Sequence, residues 1–152
     1  MRFLPINHYF LTFICLLVSL HLHAQSPSDL VEKFFDEYQK KGSSYALDEL
    51  YKTNKWFARS ADGIAKVKRQ LEGLNEDFVG KYYGYEFIVR KDFANCYTLI
   101  SCLGKYDRQP IRFTFQFYKP QESWTIYSFQ YDDTFDDELE EAAKLYYLNL
   151  DR

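Results

Sequence analysis

Apolar residues recur at helical spacing through the first half of the chain. Ser28 can cap a first helix that ends at Lys40-Lys41-Gly42, and Ser43 or Ser44 can cap a second, shorter helix. A third helix is predicted from about Asp62 to Asp77. The apolar faces of the three are Val31, Phe34, Phe35 and Tyr38; Leu47, Leu50 and Tyr51; and Ile64, Val67, Leu71, Leu74 and Phe78.

After Gly80 the apolar residues alternate with polar ones, which is typical of half-buried strands. Helical spacing returns from Thr134. We therefore predict an α+β fold with N-terminal helices packed on a curved four-stranded antiparallel meander, and a C-terminal helix from about residue 134. The predicted strands are 82–90, 96–103, 111–118 and 124–131.

Closing the two hairpin turns predicts which side chains share a face of the sheet. One face is strongly apolar, so we expect it to pack against the helices and to bury Phe113, Phe115, Phe117, Trp124 and Ile126. The predicted pairs are Phe113 with Ser128, Phe115 with Ile126, Phe117 with Trp124, Val89 with Thr98, Phe87 with Ile100, and Tyr85 with Cys102.

The opposite sheet face, here called the second face, is predicted to mix aromatic and polar side chains. Its predicted members are Glu86, Ile88, Arg90, Tyr97, Leu99, Arg112, Thr114, Gln116, Tyr118, Tyr127, Phe129 and Tyr131. Bare apolar patches on monomers rarely exceed a few hundred Å². We therefore expect the C-terminal helix, the second subunit of a homodimer, or both to cover this face.

The N-terminal pattern is that of a secretory signal peptide. Arg2 precedes an apolar run from Tyr9 to Leu22, and Ala24 offers a small residue for cleavage. The run is shorter than the roughly 18 residues of a membrane-spanning helix. We predict that residues 1–24 are removed and that 25–152 form one exported domain, periplasmic or extracellular, with no membrane attachment after cleavage.

Composition narrows the functional classes. The formal net charge is −3, without the basic clustering that nucleic-acid binding requires, so we expect no nucleic-acid partner. The chain holds 14 Tyr, 14 Phe and 2 Trp. Because each aromatic side chain covers a large area, this content predicts a bulky core together with a tyrosine-lined surface or pocket.

Two cysteines remain after the signal peptide, Cys96 and Cys102. Both fall in one predicted strand, where six residues span about 20 Å. A disulfide requires Cα atoms within about 7 Å. We therefore predict two buried free thiols, with an intermolecular bridge as the alternative.

The order of elements resembles that of the nuclear-transport-factor-two-like superfamily, also called the ketosteroid-isomerase-like or cone fold. Segments 45–50, 84–86 and 108–113 look like those of small exported bacterial members of unassigned function. The resemblance implies a conical cavity at one end of a curved sheet. It leaves the activity open, since the superfamily includes isomerases, dehydratases and many binding modules.

The predicted exported domain contains no histidine, because His8, His21 and His23 all precede the cleavage site. This excludes Ser-His-Asp and Cys-His nucleophiles and metal sites built on imidazole. No glycine-rich phosphate loop is present. The acidic run from Asp132 to Glu141 lacks the spacing of a calcium loop and suits a helix N-terminus. We therefore predict no cofactor and no metal.

Two clusters of residues remain as candidate functional sites, and each also has a purely structural interpretation. Glu86 could act as a general base beside tyrosines in an apolar cavity, or it could pair with Arg90 or Arg112 on the second face. The loop Tyr106–Pro110 together with Arg112 could bind an anionic or sugar ligand, or could be an ordinary loop whose arginines pair with carboxylates.

These features favour a secreted, non-enzymatic binding domain for a small ligand or a protein partner. The alternatives are a carboxylate- and tyrosine-based isomerase or lyase acting in the cone cavity, and a purely self-associating structural domain. No catalytic residue is assigned. The candidate ligand-binding residues are Tyr85, Glu86, Tyr106, Arg108, Arg112 and Trp56.

Overall fold

The computed structural model describes residues 25–147, and the predicted signal peptide lies outside these residues. The architecture is α+β, as predicted: helices come first, then an antiparallel meander, then a C-terminal helix. The four strands are hydrogen-bonded in the order β1-β2-β3-β4.

The element bounds agree well with the sequence pattern for the strands and less well for the helices. The helices are α1 (Pro27–Lys41), α2 (Ser43–Lys52), a 3₁₀ helix (Lys55–Ser60), α3 (Ala61–Glu72), α4 (Glu76–Val79) and α5 (Phe135–Tyr147). The strands are β1 (Tyr82–Phe93), β2 (Tyr97–Tyr106), β3 (Ile111–Tyr118) and β4 (Thr125–Asp132).

The N-cap of helix α1 lies two residues earlier than predicted. Ser26, not Ser28, is the N-cap, and it forms a capping box with Asp29. Pro27 occupies the first helical turn, where its missing N–H costs nothing. Ser28 instead accepts a hydrogen bond from Arg90 at 3.0 Å. The predicted end is confirmed, because Gly42 follows the helix with a φ of 89°.

The prediction of a single third helix from Asp62 to Asp77 is wrong, since the chain forms two helices there, α3 and α4. Asn75 interrupts the pattern because its side chain accepts a hydrogen bond from the backbone of Phe78 at 3.1 Å and starts a new turn. Phe78 is consequently exposed rather than on the buried face. Gly80, with a φ of 85°, then leads into β1 so close to Asp107 that a side chain would clash.

The core lies between α1, α2 and one face of the sheet. Phe113, Phe115, Phe117 and Ile126 are fully buried, as predicted, whereas Trp124 is only half-buried. Phe34 of α1 packs edge-on against Phe115, with ring centroids 5.1 Å apart. The other buried apolar residues are Leu30, Val31, Phe35, Ala46, Leu47, Leu50, Tyr51, Leu71, Val79, Ile100, Cys102, Ile111 and Phe129.

The predicted β3–β4 register is wrong for two reasons: the pairing is already shifted by two residues at the turn, where Tyr118 pairs with Thr125, and β4 then contains a bulge. Phe117 pairs with Ile126, but Phe115 pairs with Phe129, so one extra residue lies between the two positions. An extra residue reverses the direction of every later side chain. Phe129 therefore turns into the core, with its ring 5.4 Å from that of Phe34, instead of lying on the second face. Tyr131 turns the same way.

The predicted β1–β2 register is also wrong: Phe93 pairs with Tyr97 at the turn, which already shifts the pairing, and an irregularity follows between Phe87 and Val89. Phe87 pairs with Cys102, and Arg90 pairs with Ile100. Beyond this point Arg90 therefore leaves the second face and reaches α1.

Helix α5 does not cover the second face. Of the two covers that we expected for this face, the helix is therefore wrong, and the second subunit of a homodimer stays a prediction. Leu139 and Leu145 are 62% and 45% exposed, and among the described side chains of α5 only Phe135 is even half-buried. Along residues 25–147 no helix is long and apolar enough to cross a membrane.

Both cysteines are free thiols, as predicted. Cys102 is buried in β2. Cys96 is only half-buried, because it lies in the β1–β2 turn rather than in the strand, and its predicted burial is wrong.

Candidate functional site

The six candidate ligand-binding residues occupy separate parts of the described chain. Tyr85 and Tyr106 face the helices, whereas Glu86 and Arg112 lie on the second face. Arg108 lies in the β2–β3 loop. The sixth, Trp56, lies in the 3₁₀ helix.

The two tyrosines belong to a packed aromatic cluster. The hydroxyl of Tyr106 bonds that of Tyr38 at 2.8 Å, and Tyr82 packs against both rings. Tyr85 stacks on Phe35 with ring centroids 3.9 Å apart. Burial raises the pKa of each of these phenols, so they stay protonated at neutral pH. The cluster ties β1 and β2 to α1.

Glu86 is exposed on the second face, as expected if it forms an ion pair there rather than acting as a general base. Its side chain is 67% exposed and pairs with Lys105 at 2.7 Å, rather than with Arg90 or Arg112. A carboxylate becomes a general base near neutral pH through burial in apolar surroundings, which this position lacks.

Both candidate arginines already hold structural partners. Arg112 binds both carboxylate oxygens of Glu138, at 2.7 and 2.9 Å, and also binds Asp132 at 3.0 Å. These bonds, first to Glu138 and then to Asp132, raise the pKa of the Arg112 guanidinium. Arg108 donates to the backbone carbonyl of Asp77 at 2.5 Å. Arg112 thus anchors α5, and Arg108 anchors α4.

A large cavity lies elsewhere, between the 3₁₀ helix and the β3–β4 hairpin. We call it the hairpin cleft. It is open on one side and has a volume of about 1120 Å³. Trp56 is the one predicted site residue in it. Its lining is Lys52, Thr53, Asn54, Lys55, Trp56, Phe57, Ser60, Tyr118, Pro120, Gln121, Glu122, Ser123, Thr125 and Tyr127.

Two side chains after α2 fix the 3₁₀ helix against β4. Thr53 donates to the carbonyl of Leu50 at 2.7 Å and accepts from the N–H of Ile126 at 3.0 Å. Asn54 donates to the carbonyl of Ile126 at 2.7 Å and accepts from the N–H of Trp56 at 3.0 Å, which caps the 3₁₀ helix. The wall that carries Trp56 is therefore tied to the sheet.

The 3₁₀ helix presents one aromatic ring inward and one outward. Phe57 is half-buried and packs on Tyr51, with ring centroids 4.6 Å apart. The adjacent Trp56 is 57% exposed. The Arg59 guanidinium lies 4.5 Å from the centre of the Trp56 ring, a distance typical of a cation–π contact. Because Phe57 anchors the helix, Trp56 is held at the surface rather than free to fold inward.

The facing wall is formed by the hairpin. The β4 bulge leaves Tyr127 on the outer side, where it is 59% exposed and contacts Tyr97 edge-on at 5.8 Å. The backbone N–H of Lys119 donates to the carbonyl of Cys96 at 2.7 Å, which ties this hairpin to the first one. Tyr118 adds a third exposed ring.

The charges in the cleft nearly balance. Lys52 forms an ion pair with Glu49, a carboxylate that it shares with Lys33. The ammonium of Lys55 and the carboxylate of Glu122 form no ion pair within residues 25–147. Gln121 adds an amide to the lining.

Sequence reasoning missed most of this site for two reasons. It interpreted Lys119–Glu122 only as a turn, although exposed rings at Tyr118 and Tyr127 flank that turn. It also used a β3–β4 register without the bulge, which hid that Tyr127 comes beside the turn residues. The signal in the sequence that could have indicated this site is the group of aromatic residues in 118–127, namely Tyr118, Trp124 and Tyr127.

A second cavity of about 400 Å³ lies beside Val67, Gln70 and residues 129–132, and it is smaller and more open than the hairpin cleft. In the described part of the chain, no group of three or more His, Cys, Asp or Glu residues is arranged to hold a metal ion.

The chain matches no protein-family model, no curated protein and no solved structure. The hairpin cleft itself is therefore the starting point for assigning a function.

Proposed function

We propose that the protein is a secreted, non-enzymatic binding domain of the cone-fold superfamily, and that its small ligand occupies the hairpin cleft. The observation that carries the proposal is the set of exposed rings, Trp56, Tyr118 and Tyr127, around one large concavity. Ligand sites are concave, largely apolar and supplied with a few polar groups that fix orientation. Tyrosine and tryptophan serve such sites well because each combines an apolar ring with a polar group.

Binding is favoured over catalysis because the available carboxylates are exposed. The isomerase or lyase alternative needs a carboxylate with a raised pKa beside a tyrosine hydroxyl. Glu86 is paired with Lys105 on the surface, and the tyrosine hydroxyls of Tyr38 and Tyr106 bond each other. Glu122, in the cleft, is also exposed.

A fragment screen with matched variants tests the proposal. Small neutral ring compounds, both aromatic and saturated, are added to the exported protein, and binding is followed by saturation-transfer NMR. We expect several fragments to bind the wild type. Tyr127→Ala should remove that binding, whereas Tyr83→Ala should not, because Tyr83 is a comparably exposed tyrosine, 57%, outside the cleft. Absence of binding, or equal binding to both variants, would contradict the proposal.

A further inference from the structure

We propose that the ligand of the hairpin cleft is a neutral oligosaccharide. This inference rests on the proposed binding function and adds the chemical class of the ligand. Three properties of the cleft carry it: the exposed rings, the unengaged hydrogen-bonding groups, and the near balance of charge.

The rings match the apolar surface of a sugar. One face of a pyranose ring presents C–H groups that carry a slight positive charge, and the face of an aromatic ring is negative. Trp56 and Tyr127 are 57% and 59% exposed on opposite walls, and Tyr118 is 42% exposed. Hydrogen bonds hold the backbone at Trp56 and at Lys119 before any ligand arrives. Lys55 and Arg59 lie 5.4 and 4.5 Å from the centre of the Trp56 ring, so a sugar that stacks there shares the ring with these two cations.

The polar side chains match the hydroxyl groups of a sugar. Each hydroxyl both donates and accepts, so a site for sugars needs donors and acceptors side by side. Gln121 supplies both, Glu122 accepts and Lys55 donates. Ser60 and Ser123 add two hydroxyls. In the part of the chain that the structure describes, none of these five side chains makes a hydrogen bond to another residue, so their polar groups can bond a ligand. The Lys55 ammonium also lies 5.4 Å from the centre of the Trp56 ring, within cation–π range.

Charge and size exclude the simpler alternatives. A single unpaired ammonium, Lys55, opposes a single unpaired carboxylate, Glu122, so the lining favours neither an anion nor a cation. The volume of about 1120 Å³ exceeds the range of roughly 300–1,000 Å³ typical of small-molecule sites. A cleft that is both larger and open suits a chain of several sugar rings better than one enclosed molecule.

A proline-rich peptide is the competing occupant, because aromatic grooves also bind polyproline helices. Such a peptide offers many carbonyl acceptors but few N–H donors. It would leave the Glu122 carboxylate without a donor in the complex. The mixed donors and acceptors of the cleft therefore favour the sugar.

Isothermal titration calorimetry of the exported protein tests the inference. The ligands are cellotetraose, xylotetraose, mannotetraose, maltotetraose and the tetramer of N-acetylglucosamine, with a proline-rich decapeptide for comparison. We expect at least one tetrasaccharide to bind. Tyr127→Ala should weaken that binding about tenfold, the loss expected for one stacked ring. Tyr127→Phe and Tyr83→Ala should stay within about twofold of the wild type, and circular dichroism checks that each variant is folded.

The outcomes separate this inference from the proposed function. If ring fragments bind the cleft but no tetrasaccharide does, whether or not the decapeptide binds, the oligosaccharide is excluded and the binding function stands. If neither fragments nor sugars bind, both proposals fail. A tetrasaccharide that binds wild type and Tyr127→Ala equally well lies outside the cleft and overturns the inference.

Discussion

Cys96 and Cys102 differ in their surroundings more than in their sequence context. Burial raises the pKa of the Cys102 thiol to about 12, whereas Cys96 lies half-buried in a turn. Because the thiolate is the reactive form, a buried thiol with a raised pKa is inert at neutral pH.

Thiol titration should therefore detect one reactive cysteine in the native protein. With a disulfide reagent at pH 8, we expect Cys96 to react and Cys102 to be protected until denaturant is added. Cys96→Ser provides the control, since it should leave no rapidly reacting thiol. Rapid reaction of both thiols in the native wild type would show that Cys102 is accessible.

Asn54 makes more contacts than a helix cap alone requires. Its side chain caps the 3₁₀ helix and also bonds the carbonyl of Ile126 across the fold. Asn75 caps α4 with a single side-chain bond and offers a matched comparison.

We expect Asn54→Ala to lower the free energy of unfolding by about 1–3 kcal/mol, from the lost cap and a carbonyl left without its partner. Asn75→Ala should cost about 1 kcal/mol or less, because only a short helix depends on it. Urea denaturation measures both variants. Equal losses would mean that the bond to Ile126 adds nothing.

At the scale of elements, the sequence predicts the bounds of a helix or strand well where the spacing of its apolar residues continues without interruption. Strand β3 has the predicted bounds, Ile111–Tyr118, because its apolar and polar residues alternate without exception. The registers could not be predicted, since a bulge adds a residue without changing the local composition. The same limit applies to the site: the sequence predicts Trp56 as a candidate ligand-binding residue, but the position of Tyr127 beside the β3–β4 turn depends on the register.

Helix α5 depends on Arg112 for its attachment. Arg112 binds Glu138 of the helix through two bonds and Asp132 at the end of β4, while the exposed side of α5 gains no apolar burial. Isolated helices of this length are marginal in water, so the attachment decides how much of α5 is formed.

Arg112→Gln should accordingly lower the helix signal in circular dichroism and speed protease cleavage within α5. Lys105→Gln, which removes another cation from the second face, should do neither. The Arg112 guanidinium lowers the pKa of Glu138, so this contact is formed above the ordinary carboxyl pKa and is lost as the pH falls through the lowered value. Unchanged cleavage in Arg112→Gln would show that other contacts hold α5.

For the whole molecule, the buried tyrosines set the alkaline limit of stability. Burial raises the pKa of Tyr51 to about 12 and also raises the pKa of Tyr82 and Tyr106. The ordinary phenol pKa in an unfolded chain is about 10. A raised pKa in the folded state means that the folded protein retains protons which the unfolded chain has lost.

The contribution of these tyrosines to stability should therefore be constant up to about pH 10 and fall as the pH rises from about 10 to 12. Urea denaturation at intervals across this range measures the decline, and Tyr51→Phe should make it shallower. A free energy of unfolding that stays flat from pH 10 to 12 would contradict the assigned burial.

The second face leads to a prediction about assembly. Since α5 does not cover it, Tyr97, Leu99 and Tyr118 leave aromatic and apolar area there, although Phe129 and Tyr131 have turned inward. We expect a homodimer through this face at micromolar concentration in a sedimentation experiment. Leu99→Glu should shift the protein toward monomer without touching the cleft, and a monomeric wild type would exclude the dimer.

The bonds from Thr53 and Asn54 to Ile126 also protect the molecule from self-pairing. Strand β4 ends the sheet, and an open strand edge recruits strands from other chains into aggregates. At Ile126 both backbone groups that face outward are already occupied by these two side chains. The residues that position the cleft wall thus also cover the sheet edge at Ile126, so we expect changes made here to alter binding to affect solubility as well.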